Sequence, residues 1–87
     1  MRPDDIIKLL RAQPFRPFRI YLSDGSQYEI RHPEMAMVDR SVVTVGVPGP
    51  GGLDAPLERT VFVALLHINK TELLESPDGS PSRRGKR

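Results

Sequence analysis

Three arginines and one tyrosine in the first third of the chain are the residue types best suited to bind single-stranded nucleic acid. Arg16, Arg19 and Tyr21 are close in sequence, and Arg31 follows in the next polar segment. Arginine contacts phosphate groups, and an aromatic ring stacks on unpaired bases. On one exposed sheet face these side chains would form a nucleic-acid-binding surface. In the alternative interpretation Arg19 and Arg31 pair with Glu29 across a hairpin and form a solvated ionic face.

Further basic residues extend this candidate surface toward the carboxyl terminus. His67 is of a type that stacks on or hydrogen-bonds to bases in RNA-binding modules, although a histidine at a strand junction also serves as a structural hydrogen-bonding residue. Lys70 follows it, and Arg83 and Arg84 lie in the last twelve residues, which carry a net charge of +3 against −1 for residues 1–75. Tail arginines either contact phosphate nonspecifically or make the terminus more soluble.

The sequence contains little that points to catalysis or metal binding. His32 and Glu34 flank a proline and have no third ligand nearby, so an ordinary turn is a better interpretation than a metal or acid–base pair. The absence of cysteine excludes disulfides and thiolate metal sites. No serine shows a histidine and carboxylate arrangement, and no glycine-rich loop opens a helix. We therefore expect a noncatalytic protein without a cofactor or metal.

The amino-terminal segment predicts one amphipathic helix over residues 3–13. Pro3 suits the first helical turn, and Asp4 and Asp5 follow it where the helix dipole favours acids. Four aliphatic residues between positions 6 and 10 form one apolar stripe, which must pack on another element. Pro14 ends the helix because the residue before a proline is disfavoured in helical conformation.

Alternating and valine-rich segments predict five β-strands after the helix. Residues 18–23 and 26–31 alternate apolar and polar side chains around Asp24-Gly25, a strong hairpin signal. Pro33 interrupts the pattern, and apolar residues resume at 35–38. Two valine-rich segments and a short final segment, separated by a loop at 48–56 and a bend near residues 66–67, supply the remaining strands: 42–47, 61–66 and 67–74.

The strand beginning at Val61 is apolar on both faces, which is unusual in so small a domain. Each face must be covered by the chain's own core, by a helix or by another chain. We therefore predict that this strand and the next contribute to an oligomer interface, formed by Val61, Phe62, Val63, Leu65 and Ile68.

The order of elements resembles the Sm-like family, which includes bacterial Hfq. The resemblance rests on residues 17–25, with Ile20-Tyr21-Leu22 before a Ser-Asp-Gly turn, and more loosely on residues 61–72, with Leu66-His67-Ile68 before the last strand. It implies a ring in which the fourth strand pairs with the fifth strand of a neighbour, and RNA as the partner. The second strand lacks the family's usual glycine, and Leu66 stands where a basic residue commonly precedes the histidine.

Together these features predict a mainly β protein, a small five-stranded SH3- or Sm-like barrel with one amino-terminal α-helix. The folded domain spans residues 1–75, and residues 76–87 form a disordered basic tail. We expect a cytoplasmic, noncatalytic homo-oligomer that binds RNA or another nucleic acid and has no membrane segment. The alternatives are a protein-interaction or oligomerisation module without nucleic-acid binding and, for the fold, a sheet on a helix that never closes into a barrel.

Overall fold

One α-helix and six β-strands make up the described part of the computed structural model, which comprises residues 1–51 and 56–74. The helix and the strands follow one another along the chain with these bounds: α1 Pro3–Arg11, β1 Phe18–Leu22, β2 Gln27–Ile30, β3 Ala36–Val38, β4 Val42–Pro48, β5 Leu57–Ala64 and β6 Ile68–Leu73. Short 3₁₀ turns at Pro33–Met35 and Leu65–His67 connect β2 to β3 and β5 to β6.

The strands form two antiparallel three-stranded sheets. The first sheet has the order β2-β1-β6, and the second sheet has the order β3-β4-β5. Both sheets contribute to one cluster of buried side chains, with Phe18 and Ile20 from the first sheet and Val43 and Val45 from the second. Helix α1 lies near β3 and adds Ile6 to the same cluster. The core therefore lies between the inner faces of the two sheets.

The prediction of a mainly β fold with one amino-terminal helix is confirmed, and the prediction of a five-stranded barrel is wrong. The described residues contain six strands in two sheets and no closed barrel. Pro33 begins a 3₁₀ turn, so Ala36–Val38 forms a separate strand that pairs with β4. The proline cannot donate to a ladder, and the extended chain is therefore divided at this point. The predicted loop partly, and the predicted tail wholly, lie outside the described residues.

The turn and helix boundaries follow from local chemistry. Gly25 has a φ of 90°, a conformation that glycine adopts without steric cost, and it closes the hairpin between β1 and β2. The helix ends at Arg11, two residues before the predicted end, ahead of Pro14. The 3₁₀ turn at Leu65–His67 lies where the sequence predicts a bend. No helix in the described ranges is long and apolar enough to cross a membrane.

Candidate association surface

The outer face of the first sheet carries a network of charged and aromatic side chains. Cross-strand pairing places Glu29, Arg19 and Glu72 in one row, and Tyr21 and Lys70 in the next. Side chains of directly opposed residues share a face of the sheet, so all five project away from the core. We refer to these five residues as the ionic face.

Contacts within the ionic face engage most of its polar groups. Arg19 donates to Glu29 through Nη2 and to the Tyr21 hydroxyl through Nη1, at 3.1 Å for the second bond. The Tyr21 hydroxyl donates to Glu72 Oε1 at 2.6 Å. Lys70 Nζ lies 4.7 Å from the centroid of the Tyr21 ring, in the range of a cation–π contact. The tyrosine is therefore occupied by neighbours at its hydroxyl and on its ring.

Glu29 is the acidic residue that pairs with both Arg19 and Arg31. The hydrogen bond from Arg19 and, after it, the bond from Arg31 hold the pKa of Glu29 below its usual range. In turn, hydrogen bonds to Glu29 and Tyr21 raise the pKa of Arg19 above its ordinary value. Arg31 Nη2 lies 3.1 Å from Glu29 Oε1. This geometry matches the alternative interpretation of the sequence in that both arginines pair with Glu29. Arg19 does so across the hairpin, and Arg31 does so from two residues along the same segment.

The other predicted nucleic-acid-binding residues are dispersed. Arg16 is half-buried just before β1, outside the two rows of the ionic face. His67 lies in the turn between β5 and β6, where its carbonyl oxygen accepts hydrogen bonds from the Ser23 amide at 2.8 Å and the Ser23 hydroxyl at 3.1 Å. Arg83 and Arg84 lie outside the described residues. The structure therefore brings Arg19, Tyr21 and Lys70 together, with Arg31 adjoining through Glu29.

The outer face of the second sheet has the opposite character. Met37 pairs with Thr44, and Thr44 pairs with Phe62, so these residues form one row across three strands. Leu57 lies on the same face, because a Cβ added to Gly46, two residues from Thr44 along β4, would lie only 2.7 Å from Leu57 Cδ1. Met37, Leu57 and Phe62 are exposed. We call these three residues the apolar face.

Strand β5 combines the apolar face with a free edge. It is the last strand of the order β3-β4-β5, so among the described residues it pairs with β4 alone. Beside this edge lies an open cleft of about 480 Å³, with residues 62–64 on one side and Leu22, Ser23, Asp24 and His67 on the other. An unpaired strand edge exposes backbone hydrogen-bonding groups to other chains.

The five predicted interface residues occupy different environments. Val63, Leu65 and Ile68 are buried in the core of the chain itself, and Val61 packs against that core at its margin. Phe62 points the other way and is 72% exposed. Of the set, Phe62 is therefore the residue that remains available to a second chain.

Met37 and Leu57 are functional candidates that the sequence interpretation missed. Met37 belongs to a three-residue strand, too short for an alternating pattern to be recognised. Leu57 precedes an irregularity in the pairing of β4 and β5 between Val47 and Pro48. The one usable signal was Gly46 inside a valine-rich strand, since such a glycine marks a close approach by another group. Here that group is the Leu57 side chain.

The described residues offer no site for a metal ion, because no cluster of three or more histidine, cysteine, aspartate or glutamate side chains is present among them. His32 and Glu34 are both exposed at the 3₁₀ turn after β2. Comparison with protein families, with curated proteins and with solved structures finds no match to this chain.

Proposed function

We propose that this protein is a noncatalytic self-association module that binds a second copy of its own chain through strand β5. The observation that carries the proposal is Phe62, a large aromatic side chain that is 72% exposed in the uncharged half of a free edge strand. Exposed apolar groups of this kind mark interaction surfaces, and aromatic residues dominate the energetics of such surfaces. Burial of Phe62 against a second copy removes it from water.

The contrast between the two sheets supports this assignment. Charged groups and hydrogen bonds cover the outer side of the first sheet, whereas the apolar face of the second sheet has no such cover among the described residues. In a small domain, apolar side chains that remain in water do not contribute their burial free energy to folding. Association buries part of that apolar area and so stabilises the folded state. A second copy is a suitable partner because an antiparallel strand edge is complementary to itself.

The test is the native mass of the protein by light scattering after size exclusion, over a hundredfold range of concentration. We expect the mass to rise from one chain to two. Phe62→Lys places a charge in the interface and is expected to leave a monomer. Gln27→Lys is the matched control, since it adds the same charge at an exposed position of the first sheet. A wild-type protein that stays monomeric throughout, or a Phe62→Lys variant that associates normally, would contradict the proposal.

Nucleic-acid binding is a second candidate, favoured by the charge around the ionic face. Arg19, Arg31 and Lys70 outnumber Glu29 and Glu72 by one positive charge. It has less support than self-association because the guanidinium of Arg19 already contacts both carboxylates. Retention on single-stranded RNA that declines steeply with salt would favour this candidate, because phosphate contacts release counterions. Unchanged elution in the presence of RNA would eliminate it.

A further inference from the structure

The free edge of β5 has an uncharged stretch suited to pairing with another strand. Residues 60–64, Thr-Val-Phe-Val-Ala, contain no charge and no proline, and they pair regularly with β4. Within β5 the charged residues, Glu58 and Arg59, come before this stretch, and the pairing with β4 is irregular between Leu57 and Arg59. Proteins usually protect long edge strands with charges, prolines or bulges. The unprotected part of β5 is therefore centred on Phe62.

The other edge strands are less suited to this role. Strands β2 and β3 have four and three residues, and short edges offer few backbone groups. Strand β6 carries the exposed residues Asn69, Lys70 and Glu72, and its pairing with β1 shifts between Tyr21 and Leu22. Within its described residues, a second copy thus offers one edge with a comparable uncharged stretch, residues 60–64 of its own β5.

Arg59 and Asp24 carry opposite charges and make no contact with each other within the described chain. Arg59 pairs with Val47 on β4, so its side chain projects on the same side of the second sheet as Val45 and toward the first sheet. It makes no ion pair with a described residue. Asp24 borders the cleft beside β5, and its Oδ1 accepts the hydrogen bonds from Ser26 that hold the hairpin turn.

From these observations, and resting on the proposed self-association, we infer that two copies pair their β5 strands antiparallel about a two-fold axis at Phe62. Residue 60 then faces residue 64 of the second copy, and the two Phe62 side chains oppose each other on the outer face. Arg59 of the second copy lies three residues from the axis, about 10 Å along the strand, level with Leu65. That position is at the cleft, where Asp24 supplies the opposite charge.

The two-fold axis makes this contact occur twice. Each copy contributes one arginine and one aspartate. The second sheets of the two copies, each of three strands, join into one continuous six-stranded sheet. Such an interface limits the assembly to two copies, because each copy uses the same surface to bind the other. A head-to-tail pairing of β5 with β6 would instead continue to rings or filaments of higher mass. The inferred arrangement therefore predicts a dimer with two symmetric ion pairs.

A charge-exchange experiment tests the inference directly. Arg59→Asp alone sets two pairs of negative charges against each other in the dimer, and Asp24→Lys alone does the same with positive charges. We expect each variant to dissociate at a concentration about tenfold or more above that of the wild type. When the two variants are mixed, both contacts become oppositely charged, and we expect a heterodimer of nearly wild-type affinity. Different affinity tags and light scattering identify the mixed species.

A neutral pair of variants guards against a failure of Asp24→Lys to fold. Asp24→Asn retains an oxygen for the Ser26 bonds, and Arg59→Gln removes the other charge. Each is expected to weaken the dimer, and the double variant no further, because both remove the same contact. Circular dichroism checks that every variant is folded.

The outcomes separate this inference from the function on which it rests. A wild-type dimer that is lost in Phe62→Lys but unaffected by the charge variants would overturn the Arg59–Asp24 geometry and leave self-association standing. An assembly larger than a dimer would overturn the two-fold pairing in the same way. A wild-type protein that is monomeric at every concentration would overturn both.

Discussion

Two neighbouring residues of β5, Phe62 and Val63, provide a direct test of how this strand is oriented. Val63 is 2% exposed and Phe62 is 72% exposed, although both are apolar and adjacent in sequence. Truncation of each to alanine should therefore have very different consequences. The Val63→Ala change affects the folded core, whereas the Phe62→Ala change acts chiefly on an exposed surface, the one that we propose a second copy covers.

The magnitudes follow from burial. Val63→Ala removes two buried methyl groups, at about 0.8 kcal/mol each, and leaves a cavity, so we expect the free energy of unfolding to fall by about 2–3 kcal/mol. Full burial of a phenylalanine contributes about 1.5–3 kcal/mol. Roughly a quarter of Phe62 is buried, so its truncation in the monomer should cost about 0.4–0.8 kcal/mol by the same scale. The loss of strand propensity is similar for both changes and leaves the difference intact.

Urea denaturation followed by far-ultraviolet circular dichroism measures both variants. A protein of this size has a slope of about 1 kcal/mol per molar urea, so the expected midpoint shifts are about 2–3 M for Val63→Ala and below about 1 M for Phe62→Ala. Each transition is recorded at low micromolar protein and at a concentration a hundredfold higher. The wild-type midpoint should rise with concentration because association stabilises the folded state, and Phe62→Ala should lose that rise. Equal losses of stability in dilute solution would refute the assigned orientation of β5.

Two further predictions concern the turns. Gly25→Ala places a side chain at a φ of 90°, and we expect it to lower the free energy of unfolding by about 1–2 kcal/mol in thermal denaturation. Gly49→Ala should change little, because the new Cβ would lie 3.6 Å from Glu58 Cβ, an ordinary contact distance. Equal effects would contradict the role of the turn. Backbone hydrogen bonds from Ser41 and Val42 hold the pKa of Asp39 below its ordinary value, so its ionised form stabilises the fold above the ordinary pKa of an aspartate, and this stabilisation is lost as pH falls from there through the lower folded pKa. The stability of Asp39→Asn should therefore decline less over that acidic range in urea titrations, and an identical decline would count against the assignment.

Local features of the fold were predictable because their causes lie within a few residues. The alternation of Phe18 and Ile20 with Arg19 and Tyr21 predicts which side chains enter the core, and the structure places them accordingly. The pairing of Arg19 with Glu29 was one of two open interpretations. Hairpin register opposes these residues, and opposite charges on directly opposed positions attract.

Features that depend on distant segments were not predictable in the same way. Whether the sheets close into a barrel depends on which edges meet after the chain bends at Pro33, and a single sequence contains no direct signal for that. The exposure of Met37 depends on its register with Thr44 and Phe62, and these three residues belong to three different strands. The apolar run at residues 61–66 predicts cover on both faces of the strand, and within the described residues the core buries Val63 and Leu65 but leaves Phe62 and Leu66 exposed.

The outer faces of the two sheets differ in the free energy needed to remove them from water, and this difference favours association through β5. On the first sheet, Arg19 and Tyr21 already make hydrogen bonds within the chain, so a second chain there would take charged groups out of water and offer them few new partners. On β5, Phe62 has no polar group to desolvate, and the free edge has backbone groups that another strand satisfies fully. A second chain thus gains contacts at β5 at the smallest desolvation cost. The same reasoning predicts that association leaves the ionic face open to solvent in the dimer, so that self-association and any binding of nucleic acid there would not compete.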